Sequence, residues 1–173
     1  ANMRKHMKKI LIALLALIVL CAGVWRLRPH SLADIISVDE SAIISLTCTA
    51  NISGVSKDGT PFIDNYELQA LTGGSKDFIA IIDILNQSGY QQSFQNLFPW
   101  AITSVSSNGS SMNANIFLAW GSTEKETCFL TVYDDGKVVV SLGENNGFLV
   151  YHATDRSMLD QLVNYVQEHG TKN

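Results

Sequence analysis

The residues that could carry out hydrolytic chemistry lie together near the C-terminus of the chain. His152, Asp155 and Ser157 have the side-chain types of a general base, an orienting acid and a nucleophile. A catalytic triad is defined by geometry rather than by closeness in sequence, and the chain contains no GxSxG motif. We therefore favour a structural interpretation, in which His152 ends a strand and Asp155 caps the helix that follows.

A glycine-rich stretch offers a second possible chemistry, the binding of a phosphate group. Gly73-Gly74-Ser75-Lys76 precedes an expected helix, and a helix N-terminus attracts anions. A P-loop requires four residues between its glycines and then Lys followed by Ser or Thr, a spacing that this stretch lacks. The sequence therefore predicts a plain loop in which Ser75 caps the helix.

The sequence gives little support for a metal site. The histidines lie at residues 6, 30, 152 and 169, without the HxH or HxxxH spacing of a zinc site. Asp134-Asp135-Gly136 shares only its composition with a calcium loop and is typical of a hairpin turn. We predict no metal, no cofactor and no catalytic residue, which favours a non-enzymatic protein but leaves open whether it is an enzyme.

Two cysteines, Cys48 and Cys128, could form a disulfide. Each lies in an alternating segment that places it on an apolar face, so both are expected to point into a core. In an oxidising compartment, a bridge closing a loop of about 80 residues would contribute about 4 to 5 kcal/mol. Two buried free thiols would also pack well, so both alternatives stay open. The absence of a CxxC motif argues against thiol exchange and zinc binding.

Four aromatic side chains lie on the uncharged, amide-rich stretch 90–100, namely Tyr90, Phe94, Phe98 and Trp100. Aromatic residues are enriched where proteins recognise their partners, so these four residues are a possible partner-binding surface. Aromatic rings in a domain this small more often fill its core, which is the interpretation that we favour.

An uninterrupted apolar run over residues 10–25 indicates that the chain enters a membrane. As a helix it would span about 24 Å, against about 30 Å for the hydrocarbon core of a bilayer. Arg26 and Arg28 follow at once, and snorkelling of their side chains would lengthen the span. We predict a transmembrane or signal-anchor helix through which the protein partners the membrane.

The basic residues around this run predict its orientation. Four of them precede the run and two follow it closely, so the N-terminus is expected inside the cell. The C-terminal domain of this single-pass cell-membrane protein would then be extracytoplasmic. The alternative is cleavage after Gly23, which would release a secreted protein.

The chain therefore divides into four segments. These are a basic cytoplasmic region 1–9, a membrane helix 10–25, a juxtamembrane linker 26–40 and an extracytoplasmic domain 41–173, with Ala1-Asn2 typical of a cloning remnant. All 16 acidic residues and six of the 12 Lys and Arg residues lie beyond residue 28, which gives this part a net charge of 6 − 16 = −10. Because such a surface repels phosphate backbones, we predict no binding to nucleic acid.

Alternation of apolar residues predicts strands, and two helical stripes predict helices. A hairpin is expected over 42–53 and 62–71, with a turn at residues 57–60, and helices are expected over 75–88 and 155–169. Between the helices a meander is expected, with strands over 101–107, 115–120, 127–133, 138–142 and 148–152. This order predicts an α+β fold, an antiparallel sheet of about six or seven strands with two helices packed on one face.

The layout of the chain resembles that of the small uncharacterised membrane-anchored or secreted proteins of Gram-positive Firmicutes. The resemblance lies in the leader MKKILIALLALIVLCAGVW, the helix ending ILNQSGY, the meander containing LTVYDDGKVVVSLG and the terminal LDQLVNYV. It implies an extracytoplasmic α+β domain and carries over no functional residues. Many such proteins are lipoproteins, but Leu20 before Cys21 departs from a lipobox, so lipidation is not implied.

These observations predict a membrane-tethered extracytoplasmic domain of non-enzymatic type, which binds or senses an envelope component or partner protein. The alternative is a secreted hydrolase or hydrolase inhibitor.

Overall fold

The computed structural model describes the backbone of residues 2–98, 110–121, 126–143 and 147–173, with side chains from His6 onward. The helices in these ranges are α1 (Asn2–Leu27), α2 (Leu32–Ile36), α3 (Lys76–Asn86) and α4 (Met158–His169). The strands are β1 (Ser45–Val55), β2 (Pro61–Thr72), β3 (Tyr90–Gln92), β4 (Met112–Ala119), β5 (Thr127–Tyr133), β6 (Lys137–Leu142), β7 (Phe148–Ala153) and β8 (Thr171–Lys172). Short 3₁₀ helices cover Glu40–Ala42 and Phe94–Leu97.

The described strands form one antiparallel sheet in the order β3-β7-β6-β5-β4-β1-β2-β8. The predicted α+β class is therefore confirmed, with eight strands instead of six or seven. The edge strands β3 and β8 have three and two residues, too short to show the alternation by which a strand is recognised in a sequence. The strand expected at 101–107 lies outside the described residues.

One face of the sheet carries the core. Burial alternates along the central strands, as in Leu46, Cys48 and Ala50 of β1, because successive side chains point to opposite faces. These residues form one apolar cluster with the buried side chains of α2, α3 and α4. We call the opposite side the open face, on which most side chains of β1, β4 and β5 are at least partly exposed, while Val139 of β6 and Val150 of β7 are buried.

Local signals explain where α3 and α4 begin. Ser75 caps α3, its Oγ accepting from the N–H of Phe78, which confirms the helix and places the glycine-rich stretch in a loop. α4 starts at Met158 rather than at Asp155, because Asp155 forms a turn with Ser157 before the helix. Near the other end of α4, the Tyr165 hydroxyl donates to Asp77 Oδ1 at 2.7 Å and links the two helices.

Helix α1 is long and apolar enough to cross a membrane between His6 and Leu27, and its apolar window is not buried against the domain. Its large apolar side chains are exposed around the helix, as expected for a helix that contacts lipid on every side.

The segment predicted as a juxtamembrane linker contributes to the domain core. His30 pairs with Tyr90 at the edge of the sheet, and a capping box between Ser31 and Asp34 starts α2. The apolar side chains of α2 are almost completely buried, namely Leu32, Ile35 and Ile36. The domain thus begins at His30, ahead of the predicted boundary at residue 41, because a five-residue helix is too short to show a periodic pattern.

Candidate functional site

The four aromatic residues considered as a possible binding surface do not share one environment. Tyr90 is fully buried, and its hydroxyl donates to the carbonyl of Leu85 at 2.7 Å, so Tyr90 belongs to the core and not to a binding surface. Phe94 and Phe98 are exposed. Trp100 lies outside the described residues. The sequence alone could not distinguish the buried Tyr90 from the exposed phenylalanines, because the burial of Tyr90 depends on its pairing with Ala153 and His30.

The segment after β3 presents apolar side chains to the outside. Asn96 fixes this segment to β7, because its side-chain amide donates to the carbonyl of Val150 and accepts from the N–H of Val150, both at 2.8 Å. Three side chains around Asn96 remain outward, with exposed fractions of 68% for Phe94, 44% for Leu97 and 53% for Phe98. We call these three residues the apolar patch.

A second exposed aromatic group lies on the open face. Phe117 of β4 is directly opposite Phe129 of β5, which is opposite Ser141 of β6, which is in turn opposite Phe148 of β7. The four positions form one row across the sheet, because directly paired residues point to the same face. The phenylalanines are 42%, 42% and 48% exposed in that order.

Amide and hydroxyl groups lie beside this phenylalanine row. Asn113 Oδ1 accepts from Asn51 Nδ2 at 2.8 Å and from Asn115 Nδ2 at 3.3 Å. Asn115 Oδ1 accepts from the Thr131 hydroxyl at 3.0 Å. These side chains form a hydrogen-bonded ladder over β1, β4 and β5, which fixes their orientation next to the phenylalanines. The NANIF sequence of β4 places two of the amides and Phe117 on one face, but the row required the cross-strand register.

The open face is uncharged on β1, β4 and β5, although residues beyond 28 carry a net charge of −10. Its positions on these three strands hold mainly Thr, Asn, Ser and aromatic side chains, and Lys137 of β6 lies beside them, 5.9 Å from the centre of the Tyr133 ring. The domain's acidic residues are instead found mainly in turns, caps and helices, as with Asp39, Asp58 and Asp77. Such a surface suits a neutral ligand with both apolar and hydrogen-bonding groups.

The proposed triad residues do not form a catalytic arrangement. Asp155 Oδ1 accepts from the N–H and from the hydroxyl of Ser157, both at 2.8 Å, so the carboxylate pairs with the serine. His152 lies within β7, opposite Lys137 and Gln91. Asp155 therefore has a structural role, but it stabilises the turn before α4 and is not the expected cap, because the N-cap position is Ser157.

Several described carboxyl groups stabilise turns and caps in the same way. Hydrogen bonds from a neighbouring serine lower the pKa of Asp34, Asp39, Asp58 and Asp155 below the ordinary range. A general acid needs the opposite shift, a raised pKa, so these four groups are suited to a structural role.

Register separates Cys48 from Cys128. Cys48 pairs with Ile116 and Cys128 pairs with Leu118, so β4 lies between the two cysteines. Two strand spacings amount to about 9.6 Å, beyond the roughly 7 Å that a disulfide can bridge between Cα atoms. Both cysteines are free and buried, so of the two alternatives left open by the sequence the structure has the buried free thiols. Burial raises the pKa of each thiol to about 12.

The Asp134-Asp135-Gly136 sequence forms the β5–β6 turn. Gly136 has a φ of +81° and its N–H donates to the carbonyl of Tyr133 at 3.0 Å, while Asp135 accepts from the N–H of Lys137 at 2.9 Å. Asp134 accepts from the N–H of Ser111 and ties the start of β4 to this turn. In the part of the chain that the structure describes, no group of three or more His, Cys, Asp or Glu could hold a metal ion.

Comparison of the chain with protein-family models, with curated proteins and with solved structures finds no match.

Proposed function

We propose that this protein is a single-pass, membrane-tethered binding module, whose α+β domain lies outside the cytoplasm and binds an envelope component without catalysis. The membrane part of the proposal is supported by α1, which is apolar over His6–Leu27 and exposed along its length. Its orientation is supported by the basic residues before the run, which favour a cytoplasmic N-terminus.

The open face carries the binding part of the proposal. The single observation behind it is the exposed row of Phe117, Phe129 and Phe148 beside the Asn and Thr ladder. Aromatic faces pack against apolar surface, and amides and hydroxyls exchange hydrogen bonds with hydroxyl groups. A sugar ring offers both an apolar C–H face and hydroxyl edges. We therefore favour the neutral glycan strands of the cell wall as the ligand.

The experiment measures co-sedimentation of the full-length protein with cell-wall sacculi from which protein has been removed. The protein is reconstituted in lipid nanodiscs, so the domain is accessible whatever its orientation in a cell. We expect the wild-type protein to sediment with the sacculi and the Phe117→Ser/Phe129→Ser variant to lose most of this binding, because it loses apolar contact area on the open face.

Ile79→Ser is the matched control, since Ile79 is similarly exposed at 49% and lies on α3, away from the open face. This variant should bind like the wild type. Equal binding by the double variant and the wild type would contradict the open-face assignment, and turnover of the glycan would contradict a non-enzymatic role. The hydrolase or hydrolase-inhibitor alternative stays a prediction.

A further inference from the structure

The connection between α1 and the domain is very short. α1 ends at Leu27, and His30 already pairs with Tyr90 at the sheet edge, which leaves only Arg28 and Pro29 between the two elements. Leu27 and His30 are three residue steps apart, which extend over about 11 Å at most. If α1 spans the bilayer, the β3 edge of the sheet must therefore lie at the level of the lipid headgroups.

Side chains at the end of α1 are suited to that level. The Arg28 guanidinium lies 3.8 Å from the centre of the Trp25 ring. Trp is enriched at membrane interfaces, where its ring lies among the headgroups, and Arg there can reach lipid phosphates. This arrangement places the boundary of the hydrocarbon near Trp25.

The apolar patch lies beside this end of the helix. Gln91 Nε2 donates to the carbonyl of Leu27 at 3.3 Å, which joins β3 to the last residue of α1. A shallow hollow is lined by Leu27, His152 and the run 91–95, which includes Phe94. Phe94 therefore shares its surroundings with the end of the membrane helix.

The composition of the patch fits lipid. Residues 87–98 carry no charge, so no charged side chain in the segment has to be desolvated on entering the interface. Phe94, Leu97 and Phe98 are exposed large apolar side chains, of the kind by which interfacial segments insert.

We propose that the apolar patch is a second membrane contact, which inserts Phe94, Leu97 and Phe98 into the outer bilayer interface beside α1. This inference rests on the membrane tether proposed above and adds a fixed orientation to it. The domain is held at two points, α1 and the patch, with strands β1 and β2 at the far side of the sheet.

The test uses the full-length protein in phosphatidylcholine vesicles, labelled with the fluorophore NBD at single cysteines. Cys21→Ala removes the membrane cysteine, and Cys48 and Cys128 are buried and free. Phe94→Cys and Leu97→Cys report on the patch. We expect the emission of both labels to shift to the blue in vesicles and to be quenched by lipids with a shallow doxyl group.

Ile63→Cys is the matched control. Ile63 is apolar and 71% exposed, close to the exposure of Phe94. It lies on β2, six strand spacings from β3 and so about 29 Å away across the sheet. Its label should show neither the blue shift nor the quenching.

Resistance of the same samples to carbonate extraction tests the insertion of α1 separately. Labels at 94 and 97 that stay in water while α1 resists extraction would overturn the second contact and leave the tether intact. A blue shift that lipid quenchers do not affect would mean that protein and not lipid covers the patch, which also overturns the proposal. Loss of the protein on extraction would overturn both the tether and the second contact.

Discussion

His30 and Tyr90 exchange two backbone hydrogen bonds, from His30 N to Tyr90 O and from Tyr90 N to His30 O, each 2.9 Å long. The pair extends the sheet edge toward α1, while the Tyr90 hydroxyl bonds inside the core. The ring of His30 also packs edge-on against Tyr151, with 6.3 Å between the ring centres. The residues that connect the apolar helix to the domain are thus part of the domain.

We expect a soluble fragment that begins at Pro29 to fold and a fragment that begins at Ser41 to fail. The shorter fragment loses the buried side chains Leu32, Ile35 and Ile36. Truncation of one such side chain costs about 2 to 5 kcal/mol, and a typical domain has only about 5 to 15 kcal/mol in total. Thermal unfolding followed by circular dichroism compares the two fragments.

A single substitution in the full-length protein also tests the contribution of α2 to stability. Leu32→Ala should lower the free energy of unfolding by about 3 kcal/mol, and Ile44→Ala, at an exposed position, by less than about 1 kcal/mol. Equal melting temperatures for the fragments from Pro29 and from Ser41 would show that α2 is dispensable.

The two core thiols should be unreactive in the folded protein. Cys48 and Cys128 are buried, and burial raises the pKa of each to about 12, so the reactive thiolate is scarce at pH 8. In the Cys21→Ala variant, a maleimide should label no cysteine before unfolding and both after unfolding in urea. Mass spectrometry counts the labels, and an intact mass two hydrogens lower would instead indicate a disulfide.

The free energy of unfolding should fall at alkaline pH, because the two thiols are buried. Because burial raises the pKa of Cys48 and Cys128 from 9.0 to about 12, both thiols keep their protons to a higher pH in the folded state than in the unfolded state. Their contribution is complete below pH 9 and is lost as the pH rises toward 12, at up to about 1.4 kcal/mol per pH unit for each thiol. Burial also raises the pKa of Tyr90, which acts in the same direction.

Urea unfolding at pH 8, 9, 10 and 11, under reducing conditions, measures this dependence. The Cys48→Ala/Cys128→Ala variant should be less stable at pH 8 and should show a flatter decline above pH 9. An unchanged slope in the variant would mean that other groups cause the alkaline loss.

The sequence predicts well those elements whose signal is local, either a periodic apolar pattern of several residues or a turn or cap motif. The strand predicted over 127–133 is β5, Thr127–Tyr133, because its alternation continues over the whole element. The Asp-Gly pairs at 58–59 and 135–136 predict the two turns, because glycine readily adopts the positive φ values of +85° and +81° that Gly59 and Gly136 have. The Ser75 cap likewise settles the helical prediction for α3.

The features that the sequence missed depend on contacts between distant residues. Tyr90 and Phe94 lie on the same amide-rich stretch, but the pairing of Tyr90 with His30 and Ala153 buries one ring and not the other. The alignment of Phe117 with Phe129 depends on strand register, which no single strand specifies. Helix α2 and strand β8 are too short for a periodic signal.

The amide ladder on the open face should depend on Asn113. Asn113→Ala removes the acceptor of both Asn51 and Asn115, and because these groups are only half-buried, so that water can replace the acceptor, we expect a loss of about 0.5 to 1.5 kcal/mol. Asn113→Asp keeps an oxygen acceptor at the same place and should recover part of the loss. Urea unfolding measures both, with Asn65→Ala, next to the ladder on β2, as the control. Equal losses for Asn113→Ala and Asn65→Ala would contradict a role for the ladder in stability.

The final prediction concerns the orientation of the chain in the membrane, with the N-terminus in the cytoplasm and the domain outside. In intact cells, a membrane-impermeant maleimide should label Ile63→Cys on β2 and should not label Lys9→Cys before the apolar run, both in the Cys21→Ala background. The physical reason is the excess of basic residues on the N-terminal side, which favours retention of that side in the cytoplasm. After lysis, both positions should react, which shows that each cysteine is accessible.

The opposite labelling pattern would reverse the orientation, and label at neither position in intact cells would place the domain inside the cell. A mature protein that begins at Val24 and leaves the membrane fraction would instead identify the apolar helix as a cleaved signal.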